Sequence, residues 1–121
     1  MYSERLLDHF QHPRNAGELK SPDLTVEVSN PACGDILRLT IALEGERISA
    51  IAFKARGCTA SIACGSVLTE IMAGKTFPEL ENVTSDYVEQ QVGGLIAESK
   101  HAAVLAIDGL KAALKQWRQK L

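Results

Sequence analysis

The chain has 121 residues, 45% of them hydrophobic and 23% charged, and a formal net charge of -2. That size and balance are those of one domain large enough to bury a core, covering residues 1–121. They exclude a nucleic acid or an acidic membrane held by bulk positive charge, because no excess of Lys and Arg exists to hold either. No stretch reaches the roughly 18 apolar residues that cross a bilayer. The opening MYSERLLDHF is charged from its fourth residue and lacks the apolar block of a secretory signal. A cytoplasmic location is the expectation. In that setting three cysteines read as metal ligands, reactive thiols or packed side chains, not as a disulfide framework.

In chain order, Ser3 is placed to cap a short helix, since its hydroxyl can accept from an unpaired amide of the first turn. Leu6, Leu7 and Phe10 give that helix an apolar stripe, and Pro13 stops it by pushing its predecessor out of the helical region. Residues 24–29 alternate apolar and polar, the period of a half-buried strand. Residues 36–43 repeat the pattern, with Leu37, Leu39, Ile41 and Leu43 on one face. Glu44-Gly45-Glu46-Arg47 reads as a turn, and residues 48–55 as a third strand. The short links predict an antiparallel meander.

From Cys58 the period changes to that of a helix. Ile62, Leu68, Ile71 and Met72 fall on or near one face, and Gly74-Lys75 is a C-terminal signal. Thr84 or Ser85 can cap a shorter helix that ends before Gly93-Gly94. Ser99 can cap the last helix, where Ala103, Ile107, Leu110, Leu114 and Trp117 form an amphipathic stripe. Strands first and helices afterwards predict an α+β fold, a small three-stranded antiparallel sheet with helices packed against it.

Polar groups able to hold a metal fall at the ends of these elements. Cys33 and Asp35, in NPACGD (Asn30-Pro31-Ala32-Cys33-Gly34-Asp35), lie between the first two strands. Gly34 lets the backbone turn between them. Cys58 lies where the third strand meets a helix, and His101 in the first turn of the last helix. A meander brings the first two junctions to one end of the sheet; spacing alone does not say whether His101 joins them. Thiolate, imidazole and carboxylate together suit zinc or iron, whereas calcium and magnesium prefer oxygen alone. Amides at a helix N-terminus stabilise a thiolate, which favours Cys58 as a ligand or sulfur nucleophile. Each residue also has a plainer use: Gly34-Asp35 as a turn, Cys58 as buried filler, His101 as a solvated side chain. Cys64 sits among Ile62, Ala63 and Val67, about 600° of helix rotation and a net ~240° beyond Cys58. It reads as packing, with a place at the site only if the helix start is distorted.

The sequence resembles the iron–sulfur cluster scaffold family, the group of IscU, SufU and the NifU N-terminal domain. Tyr2-Ser3-Glu4 and Asp8-His9-Phe10-Gln11-His12-Pro13-Arg14-Asn15-Ala16-Gly17 are similar to that family's opening pattern. NPACGD is similar to its first ligand loop. Phe53-Lys54-Ala55-Arg56-Gly57-Cys58, with Ala60-Ser61-Ile62-Ala63 and Ser66, is similar to its second, and Thr69-Glu70 and Gly74-Lys75 continue the likeness. The resemblance runs from Tyr2 to about Leu114. It implies a scaffold, not an enzyme. Such a protein accepts sulfur as persulfide from a cysteine desulfurase, builds a transient Fe–S cluster and passes it to client apo-proteins. It further implies Cys33, Asp35 and Cys58 as functional residues, with zinc able to take the same ligands.

One position departs from the pattern. Family members place a third cysteine where Ala102 stands here, after His101. The proline-containing chaperone motif is replaced by residues 95–100, LIAESK, and the SufU insertion before the last helix is missing. Cys33, Asp35, Cys58 and His101 then make the four-ligand set, enough for tetrahedral zinc, and histidine in place of cysteine is known in some clusters. The lost thiol keeps two alternatives open: a SufE-like persulfide acceptor without a cluster, or a zinc-binding relative that has lost assembly. A transient homodimer bridging a cluster would supply the thiols that one chain lacks.

Overall fold

The computed structural model describes residues 2–32 and 34–121. The elements in order are α1 (Glu4–Gln11), β1 (Leu24–Asn30), β2 (Asp35–Glu44), β3 (Arg47–Arg56), α2 (Thr59–Met72), α3 (Phe77–Leu80), α4 (Ser85–Gln91) and α5 (Lys100–Gln119). A 3-10 turn, Ala97–Ser99, leads into α5. The three strands form one antiparallel sheet in the order β1-β2-β3. The α+β expectation is therefore met, and the strand limits move by one residue at most at each end.

Alternation fixes which face of the sheet is buried. Val26, Leu39 and Phe53 stand in register across the three strands, as do Leu24, Ile41 and Ile51. All six are buried. On this face α5 packs against β1 and β2, and α2 against β3. Two glycines set how closely the helices approach. A Cβ at Gly65 of α2 would lie 2.8 Å from the Phe53 ring, and one at Gly109 of α5 would lie 2.9 Å from Leu37. At either position a larger residue would force the facing side chain or the helix to shift.

Each sheet edge is engaged at single points by other parts of the chain. At β3, Gly17 N–H donates to Phe53 O and Phe53 N–H to Asn15 O. At β1, the Gln116 side-chain amide accepts from Thr25 N and donates to Thr25 O. At the far end of α5, Trp117 stacks on Phe77 of α3 with ring centroids 5.2 Å apart.

Local signals behave as their chemistry dictates. Ser3 caps α1 by accepting from Leu6 N. Gly45 has φ +63 in the two-residue turn between Glu44 and Arg47. Gly74, with φ +76, follows the end of α2. Thr84 caps α4 by accepting from Tyr87 N. Two expectations change. Ser99 stands at the N-cap of α5 but makes no capping bond. The preceding 3-10 turn already engages the Lys100 amide through Ala97 O. In α2, Ile62 and Ile71 are only half-buried, while Ala60, Ser61, Ala63, Cys64, Gly65 and Ser66 are buried. The sheet, α1, α4 and α5 all contact α2, so its small-residue side is covered as fully as its leucine side.

The segment after α1 is held by a polar knot on α2. Ser66 Oγ accepts from Arg14 N at 2.8 Å and lies 2.7 Å from His9 Nδ1. On its other side, His9 Nε2 lies 3.4 Å from Glu70 Oε1. His9 is buried. Burial, and next the Arg14 charge, hold its pKa below the ordinary 6.5 against the pull of Glu70 and Asp8.

Two outcomes are expected. Ser66→Ala strands the buried His9 nitrogen and the Arg14 amide, and should cost about 1–3 kcal/mol in urea unfolding; no loss would show that water replaces the hydroxyl. Because His9 binds its proton more weakly in the folded state, the unfolded chain takes up more protons as pH falls below 6.5. The unfolding midpoint should therefore drop between pH 7 and pH 5.5, with a shallower slope in His9→Gln. Equal slopes would remove His9 as the cause.

Candidate metal centre

Three chain segments deliver side chains to one end of the sheet. Asp35 opens β2 and shares the parity of Leu37 and Leu39, so its carboxylate points under the helices. It is 5% exposed. Strand β3 ends at Arg56, opposite Ile36, and the next residue, Gly57, lies against Asp35. A Cβ at Gly57 would sit 2.4 Å from Asp35 Oδ1, and its φ of +151 suits glycine. Cys58 then takes the N-cap position of α2, half-buried, with no capping bond from its side chain. From α5 comes His101, in the first helical turn.

These groups converge on one oxygen. Asp35 Oδ2 lies 3.2 Å from His101 Nε2 and 3.7 Å from Cys58 Sγ, and Cys58 Sγ lies 3.7 Å from His101 Nε2. Ser61, one turn along α2 from Cys58, donates its hydroxyl to the same Oδ2 and sits 3.3 Å from Cys58 Sγ. Zinc holds sulfur at about 2.3 Å and nitrogen or oxygen at about 2.0–2.2 Å, so tetrahedral ligands stand roughly 3.4–3.6 Å apart. The three observed separations bracket that range. Carboxylate, thiol and imidazole are thus already spaced as co-ligands, and all their ligand atoms fall within 4.8 Å of one another.

Of the residues singled out in the sequence, Asp35, Cys58 and His101 come together. Cys33 lies outside the described residues. Around it the turn is built: Gly34 N–H donates to Asn30 O, Ala32 N–H to Asn30 Oδ1, and Gly34 has φ +75. Cys64 is fully buried within the apolar core. Burial, with the Cys58 charge second, pushes its thiol up to about 12. Ala102 is buried and carries no ligand atom. Ser61 was not among the candidate ligands; its sequence signals are its place in the family-like stretch after Cys58 and the i+3 spacing from Cys58, which puts both on one helix face. A cleft of about 610 Å³ lined by His9, Glu70, Ile71, Leu80 and Tyr87 holds none of the three converging residues. No helix among the described residues is long and apolar enough to cross a membrane.

The arrangement defines an α+β protein with a thiol, a carboxylate and an imidazole gathered at one end of its sheet. The chain belongs to the NifU-like N terminal domain family, whose profile matches residues 1–121. It is 40% identical over 120 residues to the iron–sulfur cluster assembly scaffold protein IscU 1 of Archaeoglobus fulgidus, covering 99% of this chain and 78% of that one. It is 38% identical over 123 residues to the scaffold protein IscU of Azotobacter vinelandii, covering 98% and 95%. In fold it is similar to the N-terminal part of a NifU-like protein from Brucella abortus, with a TM-score of 0.78 at 19% identity over 98% of this chain and 95% of that one.

The two described thiols should separate chemically. Iodoacetamide at mild alkaline pH should label Cys58 in the folded protein and leave Cys64 unmodified until denaturant is added, read by peptide mass spectrometry. Labelling of Cys64 at the rate of Cys58 would contradict its burial.

Proposed function

We propose that this protein is an iron–sulfur cluster assembly scaffold, with Cys33, Asp35, Cys58 and His101 as the groups that hold iron, the nascent cluster, or zinc in its place. The observation that carries the reading is the convergence of Asp35, Cys58 and His101 at co-ligand spacing. Family membership and the relatives named as scaffolds support it. Cys33 enters by its place in the NPACGD turn, two residues from Asp35.

The chemistry suits such a cargo. A thiolate at Cys58 attacks the outer sulfur of a donor persulfide, the donor leaves as thiolate, and no net oxidation occurs. Sulfur mobilisation belongs to a cysteine desulfurase, and the finished cluster to client apo-proteins. The protein itself is a platform rather than an enzyme, working in the cytoplasm. His101, next in sequence to Ala102, supplies an imidazole where the family pattern has a further thiol, and such a cluster is held less tightly than one with four thiolates. Weak retention suits transfer, and a transient homodimer would add thiols from a second chain.

Anaerobic reconstitution of the pure protein with ferrous iron and a sulfide source tests this, read by visible absorption and iron per chain. A cluster spectrum is expected. Cys58→Ser and Cys33→Ser should each abolish it, whereas Cys64→Ala should retain it. If the wild type yields no chromophore but holds zinc, the zinc-binding alternative replaces the scaffold. If Cys58 carries a persulfide without iron after incubation with a desulfurase and cysteine, and no cluster forms, the sulfur-acceptor alternative replaces it.

A further inference from the structure

Ser61 is the buried hydroxyl closest to the site and has no part in the ligand set proposed above. It is 3% exposed. It sits in the first turn of α2, yet its partner lies across the fold, on β2, and not on the helix backbone as for a capping serine. A hydroxyl has one proton and two lone pairs. The proton goes to Asp35 Oδ2, so the lone pairs face Cys58 Sγ at 3.3 Å. Oδ2 is also the oxygen nearest His101 and Cys58. Ser61 therefore grips the very atom that faces the other two donors, while Gly57 closes the space on the side of Oδ1.

We infer that Ser61 is the positioning residue of the metal site: by donating to Asp35 Oδ2 it holds that oxygen at co-ligand distance from Cys58 and His101. The inference rests on the metal-site reading above and deepens it. Without the hydroxyl, Oδ2 loses the donor that fixes it on the side of α2, and its placement toward Cys58 and His101 is less tightly held. A hydrogen bond that orients a ligating group commonly controls metal affinity by about 10–100-fold. Ser61 also touches Cys58 Sγ at 3.3 Å, but its proton goes to Asp35, so most of its effect must be lost when Asp35 is removed.

The test is a double-mutant cycle with zinc alone as the probe, needing no cluster. Zinc affinity is measured by competition with a chromophoric chelator for the wild type, Ser61→Ala, Asp35→Ala and the double variant. The electronic spectrum of the cobalt(II) form of each is recorded as well. Ser61→Ala should bind zinc about 10–100-fold more weakly, with a changed cobalt spectrum. In the Asp35→Ala background the same substitution should change both far less. Circular dichroism and thermal unfolding of each variant identify any general loss of fold, which would depress both backgrounds equally. Additive effects in the two backgrounds, or an unchanged affinity in Ser61→Ala, overturn the inference and leave the metal site standing. Failure of the wild type to bind zinc or cobalt overturns the metal site itself, and the inference with it.

Discussion

One carboxylate oxygen, Asp35 Oδ2, is the point on which three parts of the fold close. Strand β2 carries it, α2 reaches it through Ser61 and Cys58, and α5 through His101. A carboxyl group 5% exposed is costly to bury unless donors surround it. The helices supply those donors, and the sheet face places the group beneath them. The same convergence makes the spot suitable for a metal ion, because protons on thiol and imidazole stand where a cation would draw the same atoms together.

That arrangement depends on how closely the helices can approach the sheet. Gly65 and Gly109 bring α2 and α5 to within one atom's thickness of Phe53 and Leu37. A larger side chain at either position would press on the Phe53 ring or the Leu37 methyls beneath the helices. The polar knot of His9, Ser66 and Arg14 serves the other flank of α2, tying the chain that covers the β3 edge. Serine hydroxyls stand at both places along α2, Ser61 against Asp35 and Ser66 against His9 and Arg14.

Ala102, next to His101, is buried and carries no ligand atom, so the donor set of the proposed site mixes thiol, carboxylate and imidazole. Cys64 gives no compensation, since its burial both removes it from the site and holds its thiol protonated, at about 12.

Much of this was legible in the sequence because local chemistry is decisive there. Alternation at residues 24–29, 36–43 and 48–55 gave the strands, Gly45 the hairpin, Ser3 and Pro13 the limits of α1, and NPACGD with Cys58 the two junctions of the site. Tertiary structure alone decided the rest. His101 is 66 residues from Asp35, and no periodicity reports a contact of that length. The half-buried Ile62 and the buried Ser61 reverse what hydrophobicity suggests, because α2 is covered on several sides and meets the sheet at Gly65. Ser99 stands at the N-cap of α5 without a capping bond, behind a 3-10 turn. Sequence sets each element by interactions within a few residues; the site exists because burial forces distant polar groups to satisfy one another.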